Sequence, residues 1–207
     1  MPAELSILEK QTLLALARQA LEAAANGRPA PAPDAQQLPP ALREPASSFV
    51  TLMRAGQLRG CIGGLTPEEP LWADVRRHAA AAGLDDYRFG PVAPAEVPLI
   101  EIEVSVLTPP QPLAYASPAE LVSRLRPGVD GVVLMDGHRR ATFLPQVWEH
   151  VPNPETFLAL LCEKLGADPQ RWRRGGLKVE TYQVIKFTES EMKVETGLGQ
   201  PPARPTN

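Results

Sequence analysis

The sequence predicts an α+β fold, a largely antiparallel sheet with flanking helices. Three observations carry that expectation. Helical and strand patterns interleave irregularly, without the strict strand–helix alternation of a parallel sheet. Two pairs of short apolar, β-branched runs are joined by turn signals and read as hairpins. Residues 99–107 alternate, with Ile100, Ile102, Val104 and Val106 on one side and Glu101, Glu103 and Ser105 on the other.

The elements follow in order. Ser6-Ile7-Leu8-Glu9 has the form of a capping box, and Leu14, Ala17, Leu21 and Ala24 recur at helical spacing until Asn26-Gly27. One amphipathic helix is expected over residues 7–25. Residues 28–47 carry six prolines, a density at which no regular element is expected. Phe49-Val50-Thr51-Leu52-Met53 reads as a strand, Gly56 as its turn, and residues 58–62 as the returning strand. Pro67-Glu68-Glu69-Pro70 favours a helix start. Leu71, Val75, Ala79 and Ala82 then share one face, and Gly83 is expected to end that helix. Arg76 and Arg77 read as its solvated face, and His78 as a packed side chain. Ser117-Pro118 opens a short helix to about residue 125. Asp136-Gly137 joins Val132-Val133-Leu134-Met135 to residues 139–143 as a hairpin, which explains Asp136 as turn chemistry. Asn153-Pro154 caps a helix carrying Phe157, Leu158, Leu161, Cys162 and Leu165 on its apolar side. Residues 177–187 read as a final strand, and Gly and Pro from residue 197 onward as a frayed tail.

Composition bounds the function classes. At 207 residues the chain can bury one substantial core or two small ones. A net charge of −3 opposes a protein held on nucleic acid by bulk charge. The cluster of Arg171, Trp172, Arg173 and Arg174 is the one basic-aromatic feature that favours such a partner, and it reads more simply as packing. Two cysteines make neither a disulfide scaffold nor a four-cysteine zinc site, and His78, His138 and His150 lack metal-ligand spacing, so no metal is expected. No cofactor fingerprint is present, and the cofactor is unknown. No stretch reaches membrane-spanning length and no secretory start is seen, so no membrane is expected and the cytoplasm is the expected location.

The stretch that carries chemistry is Leu58-Arg59-Gly60-Cys61-Ile62-Gly63-Gly64. Glycine inside a strand marks a bulge or a close backbone approach. A thiol amid open backbone is reachable, and Arg59 beside it favours the thiolate. The alternative is a buried, structural cysteine, the commoner fate of that residue. Asp86 and Arg88, in the polar-aromatic loop Asp85-Asp86-Tyr87-Arg88-Phe89, either pair to shape the loop or present a charged fork to a ligand. Glu101 and Glu103 share one strand face, either as paired acid and base or as a plain solvent face.

Arg59-Gly60-Cys61-Ile62-Gly63 after Phe49-Val50-Thr51-Leu52 resembles the signature of the AMMECR domain family, whose prokaryotic members are called AmmeMemoRadiSam system protein A. The resemblance continues through Asp86-Tyr87-Arg88-Phe89-Gly90-Pro91, Ile102-Glu103-Val104-Ser105-Val106-Leu107, Pro127-Gly128-Val129-Asp130-Gly131, residues 141–148, and Phe157-Leu158 to Lys164. Gly90 departs from the family's frequent proline and Leu165 from its frequent alanine. The resemblance implies a single domain over residues 1–196 with a larger and a smaller lobe and a cleft between them, the smaller around residues 14–60. It also implies a shared pathway with Memo-like and radical SAM proteins. Within it, Cys61 and Glu103 are the candidate catalytic residues. Arg59, Gly60, Gly63, Asp86 and Arg88 are the candidates for substrate binding. Two function classes stand open: an enzyme, or component of an enzyme system, using Cys61, and a non-catalytic ligand- or protein-binding module in which Cys61 packs.

Overall fold

The computed structural model describes residues 4–195. In chain order the elements are α1 (Ile7–Ala25), α2 (Pro40–Arg43), β1 (Ser48–Arg54), β2 (Gln57–Gly63), α3 (Leu71–Leu84), β3 (Ile100–Leu107), β4 (Gln111–Pro112), α4 (Pro118–Arg124), β5 (Gly131–Asp136), β6 (Arg139–Phe143), α5 (Pro154–Lys164), β7 (Lys178–Tyr182), β8 (Val184–Thr188) and α6 (Glu189–Glu195). They form two four-stranded sheets, β2-β1-β3-β8 and β4-β7-β5-β6, whose recorded strand pairs are antiparallel. The expected α+β class and antiparallel pairing hold.

The chain divides into two compact units, one of residues up to Leu107 together with those from Ile185, the other Thr108–Val184. The smaller unit is therefore not the expected segment 14–60, which lies wholly inside the larger one.

In the larger unit, α1 and α3 cover one face of the sheet. Val50, Leu52, Ile102 and Val104 point into that layer against Leu13, Leu21, Val75 and Ala79, all fully buried. The first helix starts where the capping box places it: Ser6 Oγ accepts from the Glu9 amide and Glu9 Oε2 from the Ser6 amide. In the smaller unit α5 supplies the core, with Phe157 stacked on Trp148 and Leu158, Leu161 and Cys162 buried. Trp172, 1 % exposed, is part of this core, so it offers no face on which a base could stack.

Three expectations need correction. The proline-rich segment is not devoid of regular structure. It holds a 3-10 turn at Ala35–Gln37, capped by the Asp34 side chain, and the single helical turn α2, which begins at Pro40 because a first-turn residue needs no amide donor. Gly83 does not end α3. The helix runs on to Leu84, and Gly83 lies inside its last turn because a Cβ there would sit 2.6 Å from Leu21 Cδ1 on α1. The final strand is two strands in different sheets, broken at Gln183, whose amide and carbonyl turn instead to Thr108. The tail expected from residue 197 lies outside the described residues.

Gly60 sets the contact between β2 and α3. A Cβ there would lie 2.2 Å from the Ala82 carbonyl oxygen, a backbone atom with no flexible end to swing away. Gly60→Ala is expected to cost about 2–3 kcal/mol by forcing the helix off the strand. Gly90, with open space around its Cβ position, is the control. Gly90→Ala should stay within about 0.5 kcal/mol of the parent, and urea denaturation of the two variants compares them directly.

Candidate functional site

Strand alternation decides which side chains meet. On β1, Ser48, Val50 and Leu52 face the helices, so Phe49, Thr51 and Met53 face the other way. Thr51 stands opposite Cys61 of β2 and opposite Glu103 of β3. The register therefore draws Cys61, Thr51 and Glu103 into one row across three strands, on the sheet face away from α1 and α3. The Thr51 hydroxyl donates to Cys61 Sγ at 3.4 Å, and Cys61 is half-buried. Lys186, on β8 beside β3, extends the row: its Nζ lies 2.8 Å from Glu103 Oε2. Glu101, two residues back on β3, accepts from the amide of Ser190 at 3.3 Å and so helps hold the start of α6.

The backbone of Cys61 is held from outside the sheet. Gly64 donates to the Ser48 carbonyl, and by the antiparallel pattern the amides and carbonyls of Cys61 and Gly63 point away from β1, along the free edge of β2. Asp86 meets that edge. Its Oδ2 accepts from the Cys61 amide at 2.8 Å, and the Arg88 guanidinium donates to the Cys61 carbonyl at 3.4 Å. Arg88 also grips both carboxylate oxygens, Nε to Oδ1 at 2.9 Å and Nη2 to Oδ2 at 2.7 Å. The guanidinium, helped by the Cys61 amide, holds the Asp86 carboxyl well below the usual carboxylate range, and Asp86 in turn raises Arg88. Asp86 is buried, whereas the Arg88 side chain is 43 % exposed. Of the two readings of this pair, the geometry is that of an internal pair fastened to the strand.

Arg59 is placed differently from its sequence expectation. The ladder slips between Leu52 and Met53, which pair with Gly60 and Leu58, so Arg59 is the extra residue of a bulge. Its guanidinium meets Glu96 at 3.0 Å and the carbonyls of Gly90 and Pro91 at 3.0 and 3.3 Å. The arginine expected to act on the thiol instead ties down the segment after the Asp86 loop. Glu96 also pairs with Arg54, and the arginines, Arg59 foremost, bring its carboxyl down to about 2. Gly63 has no room for a side chain, since a Cβ would lie 2.3 Å from the Phe49 ring. The Cys61 amide is engaged by Asp86 and is not free to donate to a ligand.

Sequence reading missed Thr51, Lys186 and Glu96, as well as a buried cluster on the helix side. Ser48 Oγ donates to Asp74 Oδ2 at 2.6 Å, the Ser48 amide to the same oxygen at 2.8 Å, and His78 Nδ1 lies 3.1 Å from it. The residue types are those of a hydrolase triad, but the arrangement is not. In a triad, serine and aspartate meet opposite nitrogens of the imidazole. Here both lie on the Nδ1 side, with Ser48 wholly buried. Asp74 ends the β1–β2 ladder, and His78 is packed as expected. Among the described residues no cluster of three or more His, Cys, Asp or Glu could hold a metal, and no helix is long and apolar enough to cross a membrane.

Comparison with known proteins covers almost the whole chain. The family model AMMECR1 matches residues 14–187. A protein of Thermofilum pendens is 40% identical over 206 residues, spanning 91% of this chain and 93% of its own. A protein of Methanothermobacter thermautotrophicus is 41% identical over 189 residues, spanning 90% and 97%. The crystal structure of uncharacterized protein PH0010 from Pyrococcus horikoshii is similar at a TM-score of 0.70 and 36% identity, covering 86% of this chain and 89% of that one.

The Arg59–Glu96 lock has a defined acid dependence. Glu96 titrates near 2 in the folded chain against 4.5 ordinarily, so its stabilisation is complete above about pH 4.5 and is lost as pH falls through about 2. The penalty of Glu96→Gln should accordingly be constant from neutral pH down to about pH 5 and shrink toward nothing near pH 2. Urea titrations of parent and variant across that range measure it.

Proposed function

The chain belongs to the AMMECR1 family, and from that premise we propose that it is an enzyme, or the working component of an enzyme system, whose reactive group is the Cys61 thiol. The observation that carries this reading is the row Cys61–Thr51–Glu103: a half-buried sulfur on a strand, with a hydroxyl donor at 3.4 Å and a carboxylate in register one strand further on. In this reading the thiolate attacks a carbonyl-type carbon: the sulfur–carbon bond forms as the C=O π pair moves onto the oxygen, which takes up the proton the thiol has given up. The Thr51 hydroxyl steadies the negative sulfur by donating to it, and Glu103, oriented by Lys186, moves a proton to or from the substrate. Asp86 acts through the Cys61 backbone as a positioning residue. Arg88, half-exposed beside the Cys61 carbonyl, bounds the ground on which a substrate rests, whereas Gly60 and Gly63, expected as binding positions, face the Ala82 carbonyl and the Phe49 ring. A cytoplasmic setting fits two cysteines that are both free, and the pathway shared with Memo-like and radical SAM proteins follows from the family resemblance.

One observation favours the second reading, a non-catalytic ligand- or protein-binding module in which Cys61 packs. Arg59 and Asp86, two of the charged groups nearest the thiol in sequence and space, are already committed to internal partners.

Thiol chemistry separates the two. Cys162 is fully buried, and burial pushes its thiol up. Iodoacetamide at neutral pH, read by peptide mass, is expected to modify Cys61 faster than Cys162 by on the order of a hundredfold. Thr51→Val, which keeps the shape and removes the donor, should slow Cys61 severalfold. Protection of Cys61 until the protein unfolds would sink the catalytic reading and leave the binding module. Cys61→Ser assayed with the radical SAM protein present then reports on turnover.

A further inference from the structure

A second site lies on the opposite side of the first sheet, between α1 and α3, and we propose that it binds a small anion carrying a flat ring. Its floor is four alanines, Ala20 and Ala24 from α1 and Ala73 and Ala80 from α3, which leave a pocket of about 400 Å³. That is the low end of the roughly 300–1,000 Å³ typical of ligand sites, so the ligand is small. One wall is the half-buried indole of Trp72, with the Arg76 guanidinium 5.7 Å from its ring centre. A flat ring laid on the alanine floor meets the indole on one side.

The rim is cationic. Arg28, Arg76 and Arg77 line the pocket and no carboxylate does, in a chain whose net charge is −3. Arg77 is tied to Glu69 and Asp74, whereas Arg28 and Arg76 have no carboxylate partner among the described residues. Arg76 is fixed through its guanidinium and Arg28 through its backbone. Arg28 follows the left-handed Gly27 that closes α1, its amide donating to the Ala23 carbonyl. Arg76 Nη2 donates to the carbonyls of Ala30 and Pro31 at 3.1 and 2.7 Å. Its Nε is a buried donor with no acceptor among the described residues, which is costly unless an acceptor arrives. An anionic group on the ligand meets this cationic rim, in which the Arg76 guanidinium is already held in position. The site shares no residue with the Cys61 row, so each stands or falls without the other.

Trp72 gives the readout. Trp148 and Trp172, at 2 % and 1 % exposure, are core residues of the other unit, so quenching by a small molecule reports on Trp72. AMP and 1-naphthoate, a ringed phosphate and a ringed carboxylate, are titrated against the folded full chain, with adenosine and inorganic phosphate as ring-only and anion-only controls. Saturable quenching by at least one ringed anion is expected, with the controls weaker by about tenfold or more. Arg76→Gln should weaken binding by about tenfold. Ala24→Leu, which fills the floor and leaves every arginine in place, should abolish it, and this variant carries the test if thermal melting shows Arg76→Gln to be unfolded. No saturable response to either ringed anion, or undiminished binding by folded Ala24→Leu, overturns the proposal.

Discussion

With no side chain at Gly60, β2 lies flat against the last turn of α3, and the surroundings of Cys61 descend from that contact. The turn that touches the strand at Ala82 leads within four residues to Asp86, which can then reach the Cys61 amide. A methyl group at position 60 would separate the two backbones and lengthen every bond made across them. Glycine is required there for room rather than for an unusual backbone angle. The glycine density that stood out in the sequence is thus a record of close approach, and only secondarily of access to the thiol.

Much of the fold was legible because its signals are local. A capping box, an alternating strand and an Asp-Gly turn each act within a few residues, and α1, β3 and the β5–β6 hairpin lie where those signals put them. What was misread depends on distant contacts. Gly83 looked like a helix terminator until Leu21 of α1 supplied a packing reason for it. The break at Gln183 answers to Thr108, seventy-five positions away in the chain, and no pattern inside residues 177–187 encodes that partner. The same holds at the candidate site. Cys61, Asp86, Arg88 and Glu103 were visible as chemical types, but Thr51 gains its place only from a register shared with two other strands.

Arginine use separates the two sides of this sheet. Around Cys61 the guanidiniums are absorbed by Glu96 and Asp86, so that face relies on a sulfur, a hydroxyl and one lysine–glutamate pair. On the helix side the Arg76 guanidinium is held by the Ala30 and Pro31 carbonyls, and neither it nor Arg28 has a carboxylate partner among the described residues. A guanidinium spent on an acid organises structure, whereas one positioned by carbonyls keeps its full charge for whatever approaches.

The Asp86–Arg88 fork on β2 has a bearing on how the chain behaves in a crowded solution. An outermost strand with bare amides and carbonyls is a template on which a neighbouring molecule can add its own strand, the first step toward fibrous aggregates. Here a carboxylate and a guanidinium occupy those positions at Cys61, and neither can be extended into a further row of backbone pairs. The sheet is stopped at its margin by two side chains, and the thiol they flank is kept out of any such self-association.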